Sequence, residues 1–163
     1  MNEPLTFTIK LVSWSAGERL LKAIRTAVFV EEQGVPGELE WDGLDERAQH
    51  VVAVASDETP IGTGRLLPDA HIGRMAVLKE WRGKGVGGAL LDTLLVLANQ
   101  SGFKAVQLHA QTHALGFYRK RGFTAEGAEF MEAGIPHFLM TRATGDQTSW
   151  PAAFVTRPLA RMS

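Results

Sequence analysis

Arg74-Met75-Ala76-Val77, Leu78-Lys79-Glu80-Trp81, Arg82-Gly83-Lys84-Gly85-Val86-Gly87-Gly88 and Ala89-Leu90-Leu91 follow one another without a break. They read as the end of a strand, a short connection, a glycine-rich turn and the start of a long apolar helix. That order builds a seat for an anion. Glycines let the backbone approach an anion closely. The first turn of a helix carries N–H groups with no partner inside the helix. The helix dipole makes that end positive, and Arg82 and Lys84 add full charges. The stretch therefore predicts a site for a ligand carrying a diphosphate.

Three ligand classes compete. Gly83-x-Gly85-x-x-Gly88 fits the letters of the dinucleotide fingerprint, which should follow a strand directly and be trailed by an acid about 20 residues later. Here five residues, 78–82, separate strand and first glycine, and Val106-Gln107-Leu108-His109 holds no acid. No Ser or Thr follows a Gly-Lys pair, which removes a P-loop. The chain is too short for both lobes of a kinase and lacks its metal-binding signatures. The third class is coenzyme A. Arg82-Gly83-Lys84-Gly85-Val86-Gly87 resembles the R/Q-x-x-G-x-G/A loop of the GNAT superfamily of N-acyltransferases. Leu115-Gly116-Phe117-Tyr118-Arg119-Lys120-Arg121-Gly122-Phe123 resembles its FY-x-x-x-GF segment, at the separation that superfamily shows. Arg25-Thr26-Ala27-Val28-Phe29-Val30-Glu31-Glu32-Gln33 is similar to the opening helix of the ElaA-like branch. The resemblance covers most of residues 5–142.

With 163 residues the chain suits one domain with a substantial core. Apolar residues make up 45%, and 17 basic against 18 acidic residues leave a net charge of −1, so nothing points to nucleic acid or an anionic membrane surface. There is no cysteine, hence no thiolate nucleophile, disulfide or cysteine metal site. The longest apolar run is far short of a membrane span, and Met1-Asn2-Glu3-Pro4 does not open a signal peptide. The expected compartment is the cytoplasm. Residues 1–142 are expected to form the domain and 143–163, with Gly145, Pro151 and Pro158, an irregular C-terminal extension. The extension and exposed strand edges leave room for a homodimer.

Periodicity places strands at 6–12, 50–55, 61–67, 71–77 and 104–110, and a closing hairpin at 124–131 and 136–141. Ser15-Ala16-Gly17-Glu18 reads as a capping box opening the first helix, with Leu20, Leu21, Ile24 and Val28 at core spacing. On another face Arg25, Phe29 and Glu32 follow one another at helical spacing. Gly34-Val35-Pro36-Gly37 ends this helix, and 38–46 is acidic and loop-like. Gly62 and Gly64 predict a bulge or a close approach. The main helix runs from Gly85 to Gln100, and Gly102 closes it. A crossover of this length makes the strands on either side of it parallel. The fold class is α/β (α+β): a mixed, mostly antiparallel sheet flanked by helices.

The GNAT resemblance adds a splay between the central parallel strands that admits the pantetheine arm. It implies that the backbone of Met75, Ala76 and Val77 pairs with pantetheine amides, that Arg82, Gly83, Lys84, Gly85, Val86, Gly87 and Gly88 seat the diphosphate, and that a backbone N–H near Val77 stabilises the oxyanion. Acetyl-CoA is the implied cosubstrate and an amine, on a small molecule or a protein, the acceptor. Tyr118, the only tyrosine, takes the position that faces the coenzyme sulfur, and an ordinary phenol is protonated at neutral pH, as an acid must be. The base is open among Glu31, Glu32, His109 and His137, with Glu32 first because it lies in the ElaA-like block and His137 next because its late strand borders the acceptor cleft. A water chain is the other route. Arg25, Glu32 and Gln33 are expected to meet the acceptor, and Gln111 coenzyme or acceptor. His109 and His113, four apart, straddle a strand–helix boundary with no third ligand in view, so no metal site is assigned. The four tryptophans read as packing anchors, and Arg119-Lys120-Arg121 as a solvated run. No G-x-S-x-G elbow is present. A non-catalytic coenzyme A-binding module is the alternative function.

Overall fold

A computed structural model describes residues 6–144. Of the extension expected at 143–163, Ala143 ends β7 and Thr144 follows it, and the rest lies outside the described residues. Seven strands form one sheet in the order β1-β2-β3-β4-β5-β7-β6. They are β1 (Phe7–Val12), β2 (Gln49–Ala55), β3 (Pro60–Leu66), β4 (His71–Val77), β5 (Ala105–Gln111), β6 (Thr124–Glu132) and β7 (Ile135–Ala143). Every neighbouring pair is antiparallel except β4 and β5.

The apolar run of β2 shows why it lies in the middle of a two-sided core. Val51, Ala53 and Ala55 face one cluster, built on α3 (Val86–Gln100), while Val52 and Val54 face another, built on α1 (Trp14–Arg25). A strand covered on both faces reads as continuous hydrophobicity. Helix α3 is buried on several sides, with Leu90, Leu91 and Leu94 at 0% exposure. Truncating any of these leucines to alanine costs about 2–5 kcal/mol. Gly62 and Gly64 let α3 come close: a Cβ at Gly64 would stand 2.9 Å from Leu94 Cδ1, and one at Gly62 3.0 Å from Leu90 Cδ1. A register shift in β2–β3 falls beside Gly62. Both the approach and the irregularity expected there are present.

At its end α3 closes with paired turns. Gly102, at φ +86°, donates to Asn99, and Phe103 donates to Ala98, each at 3.0 Å. This Schellman pattern needs a left-handed residue, which glycine supplies. The start of α1 differs from the sequence expectation. The N-cap is Ser13, whose Oγ accepts from Ala16 N–H at 3.2 Å, and Ser15 lies inside the helix. Trp14 packs on buried His50 with ring centroids 5.4 Å apart, so the helix begins at Trp14. Glu18 does not reach back; it pairs with Lys22 at 2.7 Å.

After Arg25 the chain continues as a π-helix, Thr26–Glu32, in which Gln33 N–H donates to the Val28 carbonyl five residues back. The wider turn breaks the expected spacing of Arg25, Phe29 and Glu32. Arg25 turns inward while Phe29, Glu32 and Gln33 reach the cleft. π-Helical turns of this kind are rare and recur at functional sites. The acidic stretch that follows forms a short helix, α2 (Gly37–Glu40), and a 3₁₀ turn, Asp45–Arg47. A last short helix, α4 (Leu115–Arg119), follows β5 through the 3₁₀ turn Thr112–Ala114.

Candidate active site

Strands β4 and β5 pair only at His71 with Gln107 and Ile72 with Leu108. Beyond that fork they part. The outer half of β4 stays on β3, with Ala76 opposite Thr63 and Val77 opposite Gly62, while the outer half of β5 stays on β7, with His109 opposite Leu139 and Gln111 opposite His137. A cleft of about 940 Å³ opens between them. One edge of β4, from Gly73 to Val77, therefore faces the cleft with no neighbouring strand. A bulge sharpens the divergence: the β3–β4 register shifts between Thr63 and Arg65, and Arg74 sits at φ +51°. A left-handed arginine is a strained choice, of the kind that clusters at functional sites.

The glycine loop sits at one mouth. Gly83 and Gly85 have φ of +76° and +86°, and a Cβ at either would meet nothing within 4 Å, so conformation rather than space calls for glycine there. Gly85 caps α3 without a side-chain bond, so the first-turn N–H groups of Val86, Gly87 and Gly88 have no partner inside the helix. Gly88 has a different reason: a Cβ there would collide with the Arg121 guanidinium, which lies over this turn, 3.3 Å from Asp92 and stacked on Phe117 at 5.2 Å. Arg121 is thus packed on the domain rather than solvated. Lys84 Nζ donates to the Glu80 carbonyl at 3.2 Å. The residues 83–88 lie beyond the cleft lining, and Arg82 connects the two.

Arg82 is already engaged. Its Nη1 and Nη2 each donate to Glu32 at 2.6 Å, and its Nε donates to the Val77 carbonyl at 3.0 Å. Planar two-point pairing is the strong form of this contact. The Arg82 hydrogen bond holds the Glu32 carboxyl below the ordinary carboxylate value, which is the wrong direction for a proton acceptor at neutral pH.

Arg25 is outside the cleft. It is 1% exposed, sandwiched by Trp41 and Trp14, and donates to Glu40 Oε2 at 2.6 Å and Asp45 Oδ1 at 2.7 Å. Arg65 joins Asp45 to Asp42, and Arg74 reaches Asp42, the Glu40 carbonyl and Glu40 Oε2. Three arginines and three carboxylates thus form one network, with Glu40, Asp42, Arg65 and Arg74 in the cleft lining and Arg25 and Asp45 behind it. Burial alone would raise Asp42, but Arg65, the Leu44 N–H and Arg74 hold it down at about 2. Asp45 follows the same pattern: burial pushes up, and Arg25 and Arg65 prevail. The contact with the acceptor expected for Arg25 is replaced by this structural role.

Tyr118, Glu32, Gln33, Gln111 and His137 all line the cleft. Tyr118 is wedged edge-to-face between Phe117 and Phe123, at 5.0 and 5.8 Å, and burial pushes its phenol up to about 12. Gln111 donates to Gln33 at 2.9 Å and meets His113 Nε2 at 2.7 Å, a bridge from β5 to the end of the π-helix. His137 is buried against Phe130, with Nδ1 2.7 Å from the Ile135 carbonyl. A carbonyl only accepts, so Nδ1 carries a hydrogen, and in the neutral ring Nε2 is the nitrogen with the lone pair. His109 Nδ1 is 2.8 Å from Glu132 Oε1. His109 and His113 point to different partners, and among the described residues no His, Cys, Asp or Glu group is arranged to hold a metal. Sequence reasoning missed Glu132, which reaches the cleft from the tip of the β6–β7 hairpin; the turn residues Ala133-Gly134 that put it there were the available signal.

Among the described residues no helix is long and apolar enough to cross a membrane. Residues 16–144 match the family model described as an acetyltransferase (GNAT) domain. The chain is 41% identical over 123 residues to YjcF of Bacillus subtilis, an uncharacterised N-acetyltransferase, covering 73% of this chain and 87% of that one. ElaA of Escherichia coli is 34% identical over 130 residues, 75% of this chain and 84% of its own. A crystal structure of an acyl-CoA N-acyltransferase from Pseudomonas aeruginosa superposes with a TM-score of 0.72 at 33% identity, over 85% of this chain and 99% of that one. The forked strands, the glycine loop and these relatives lead to one assignment: the chain belongs to the GNAT family of acyl-CoA N-acyltransferases.

Proposed function

We propose that this protein transfers an acetyl group from acetyl-CoA to a primary amine, on a small molecule or a protein, by direct attack in a ternary complex. The observation that carries this reading is the open edge of β4 from Gly73 to Val77, running from the fork to the glycine loop. An extended pantetheine can lie along it as an added strand, through the backbone of Met75, Ala76 and Val77. The diphosphate then falls on the amides from Arg82 to Gly88, where helix end, left-handed glycines and cations combine. Binding both partners there turns a two-body encounter into a positioned one.

The neutral amine attacks the thioester carbonyl, the C–N bond forms and the C–S bond breaks. A β4 N–H near Val77 serves the oxyanion. The thiolate takes its proton from Tyr118, whose buried phenol stays protonated at every physiological pH, and the tyrosinate recovers a proton from the nitrogen of the collapsing adduct, which leaves as the neutral amide. His137 is the proposed base because its ring lines the cleft with Nδ1 held by the Ile135 carbonyl and Nε2 beyond direct hydrogen-bond range of Glu132. Glu32 keeps a positioning role through Arg82, which its ion pair supports better than proton transfer. Gln33 and Gln111 are proposed to meet the acceptor and the pantetheine from the opposite wall. The cytoplasm is the proposed compartment.

Acetyl-CoA turnover with a panel of amines tests this reading. Tyr118→Phe should lower kcat about 10²–10⁴-fold with acetyl-CoA binding retained. Unchanged turnover would remove the tyrosine from the mechanism. Tight coenzyme A binding with no amine acetylated would favour a non-catalytic binding module.

A further inference from the structure

Four carboxylates line the cleft among the described residues: Glu32, Glu40, Asp42 and Glu132. The first three are each held by arginine, Glu32 by Arg82, Glu40 by Arg25 and Arg74, and Asp42 by Arg65 and Arg74. Glu132 differs. It stands beside two imidazoles, His109 Nδ1 at 2.8 Å and His137 Nε2 at 3.7 Å. An imidazole, unlike a guanidinium, carries no permanent charge, so Glu132 is the cleft carboxylate whose charge is left for a ligand.

The position suits an acceptor. His137 lies opposite Gln111, past the fork, on the wall away from β4. The wall around it is aromatic: Phe130 stacks on His137 at 6.0 Å and meets His109 edge-on at 5.0 Å, and His71 stands edge-on to His109 at 6.0 Å. Ala133 and Gly134, both left-handed at φ +52° and +76°, turn the chain tightly so that Glu132 faces Ile135, whose carbonyl fixes the His137 tautomer.

We propose that Glu132 Oε2 and His137 Nε2 together receive the acceptor's ammonium group, and that the acceptor is a cationic amine with no carboxylate beside its reacting nitrogen. This rests on the acyl-transfer reading above. The 3.7 Å between the two atoms is too long for a direct hydrogen bond. A nitrogen about 2 Å off their midpoint stands at ordinary hydrogen-bond range from both. One ammonium N–H donates to Glu132 and another to His137. The N–H bond to His137 breaks, the proton bonds to Nε2, and the amine is left neutral with its lone pair for the thioester. The positive charge has moved to the imidazole, where Glu132 is already its counter-ion. An acceptor carrying a carboxylate next to its nitrogen would bring a second anion against Glu132 and be disfavoured.

The test uses wild type, Glu132→Gln and Glu132→Asp with acetyl-CoA, and matched acceptors that differ in that one charge: alaninamide with alanine, and leucinamide with leucine. Wild type should favour each amide over its acid by roughly tenfold or more in kcat/KM. Glu132→Gln should raise the amide KM roughly 10- to 100-fold, leave the acetyl-CoA KM unchanged and erase the preference; Glu132→Asp should restore part of it. A preference for the acids, or a preference that survives Glu132→Gln, overturns the proposal while leaving acyl transfer intact. If the protein binds acetyl-CoA and acetylates neither amide while other amines of the panel are acetylated, this inference is overturned and acyl transfer stands; if no amine of the panel is acetylated, the acyl-transfer reading fails and this inference falls with it.

Discussion

Two groups of arginine–carboxylate pairs flank the same cleft and do different work. Arg25, Arg65 and Arg74 with Glu40, Asp42 and Asp45 form a network in which Arg25 is 1% exposed and pinned between tryptophans. Arg82 and Glu32 make a bidentate pair of similar geometry with both side chains about 40% exposed. In the first, Arg25, Arg65, Glu40 and Asp45 have left water and depend on their partners, with half-buried Arg74 and Asp42 at the edge, so the network ties α1 and the 37–47 stretch to β3 and β4. In the second, water remains at hand and either partner can exchange it for a ligand. Burial, more than distance, separates a contact that holds the fold from one available to the reaction.

The sharpest way to break this comparison is Arg25→Ala. Removing one member of a buried network leaves uncompensated carboxylates, and a loss of about 3–5 kcal/mol is expected in chemical denaturation. A loss under 1 kcal/mol would mean that the buried group holds no more than the exposed pair. Acid separates the two regions next. The Asp42 carboxyl lies at about 2 in the folded protein against an ordinary 3.8. Its contribution is therefore complete above pH 3.8 and is lost as pH falls toward 2. Denaturation midpoints should drop through that window, and Asp42→Asn, less stable at neutral pH, should show a flatter decline. Arg82→Gln should leave stability within about 1 kcal/mol yet weaken acetyl-CoA binding roughly tenfold, read by titration. The smallest expected change is the stability of Glu32→Gln, also within about 1 kcal/mol. Should Glu32→Gln melt the protein as Arg25→Ala does, the division by burial would be wrong.

The donor half of the cleft was legible in the sequence because backbone conformation builds it, and glycine marks backbone conformation locally. Gly102 takes the left-handed angle its place after the helix implied, Gly83 and Gly85 are left-handed as well, β4 runs from His71 to Val77 as expected, and α3 ends at Gln100 as expected but starts one residue later, at Val86. The acceptor half was less legible because contacts between distant residues build it. Arg25 meets Asp45 across 20 positions, and His109 meets Glu132 across 23. The π-helical turn hid a further part. Spacing placed Arg25 and Glu32 on one face, whereas the wider turn sends one into the core and the other to the glycine loop. The cap expected at Ser15 lies at Ser13 instead, where the packing of Trp14 on His50 starts the helix earlier.

The account rests on the gap between β4 and β5 receiving an acyl-CoA, and isothermal titration with acetyl-CoA addresses it most directly. The expected result is saturable heat at one site per chain, weakened in Arg82→Gln. A folded wild-type protein that gives no heat on titration would contradict it.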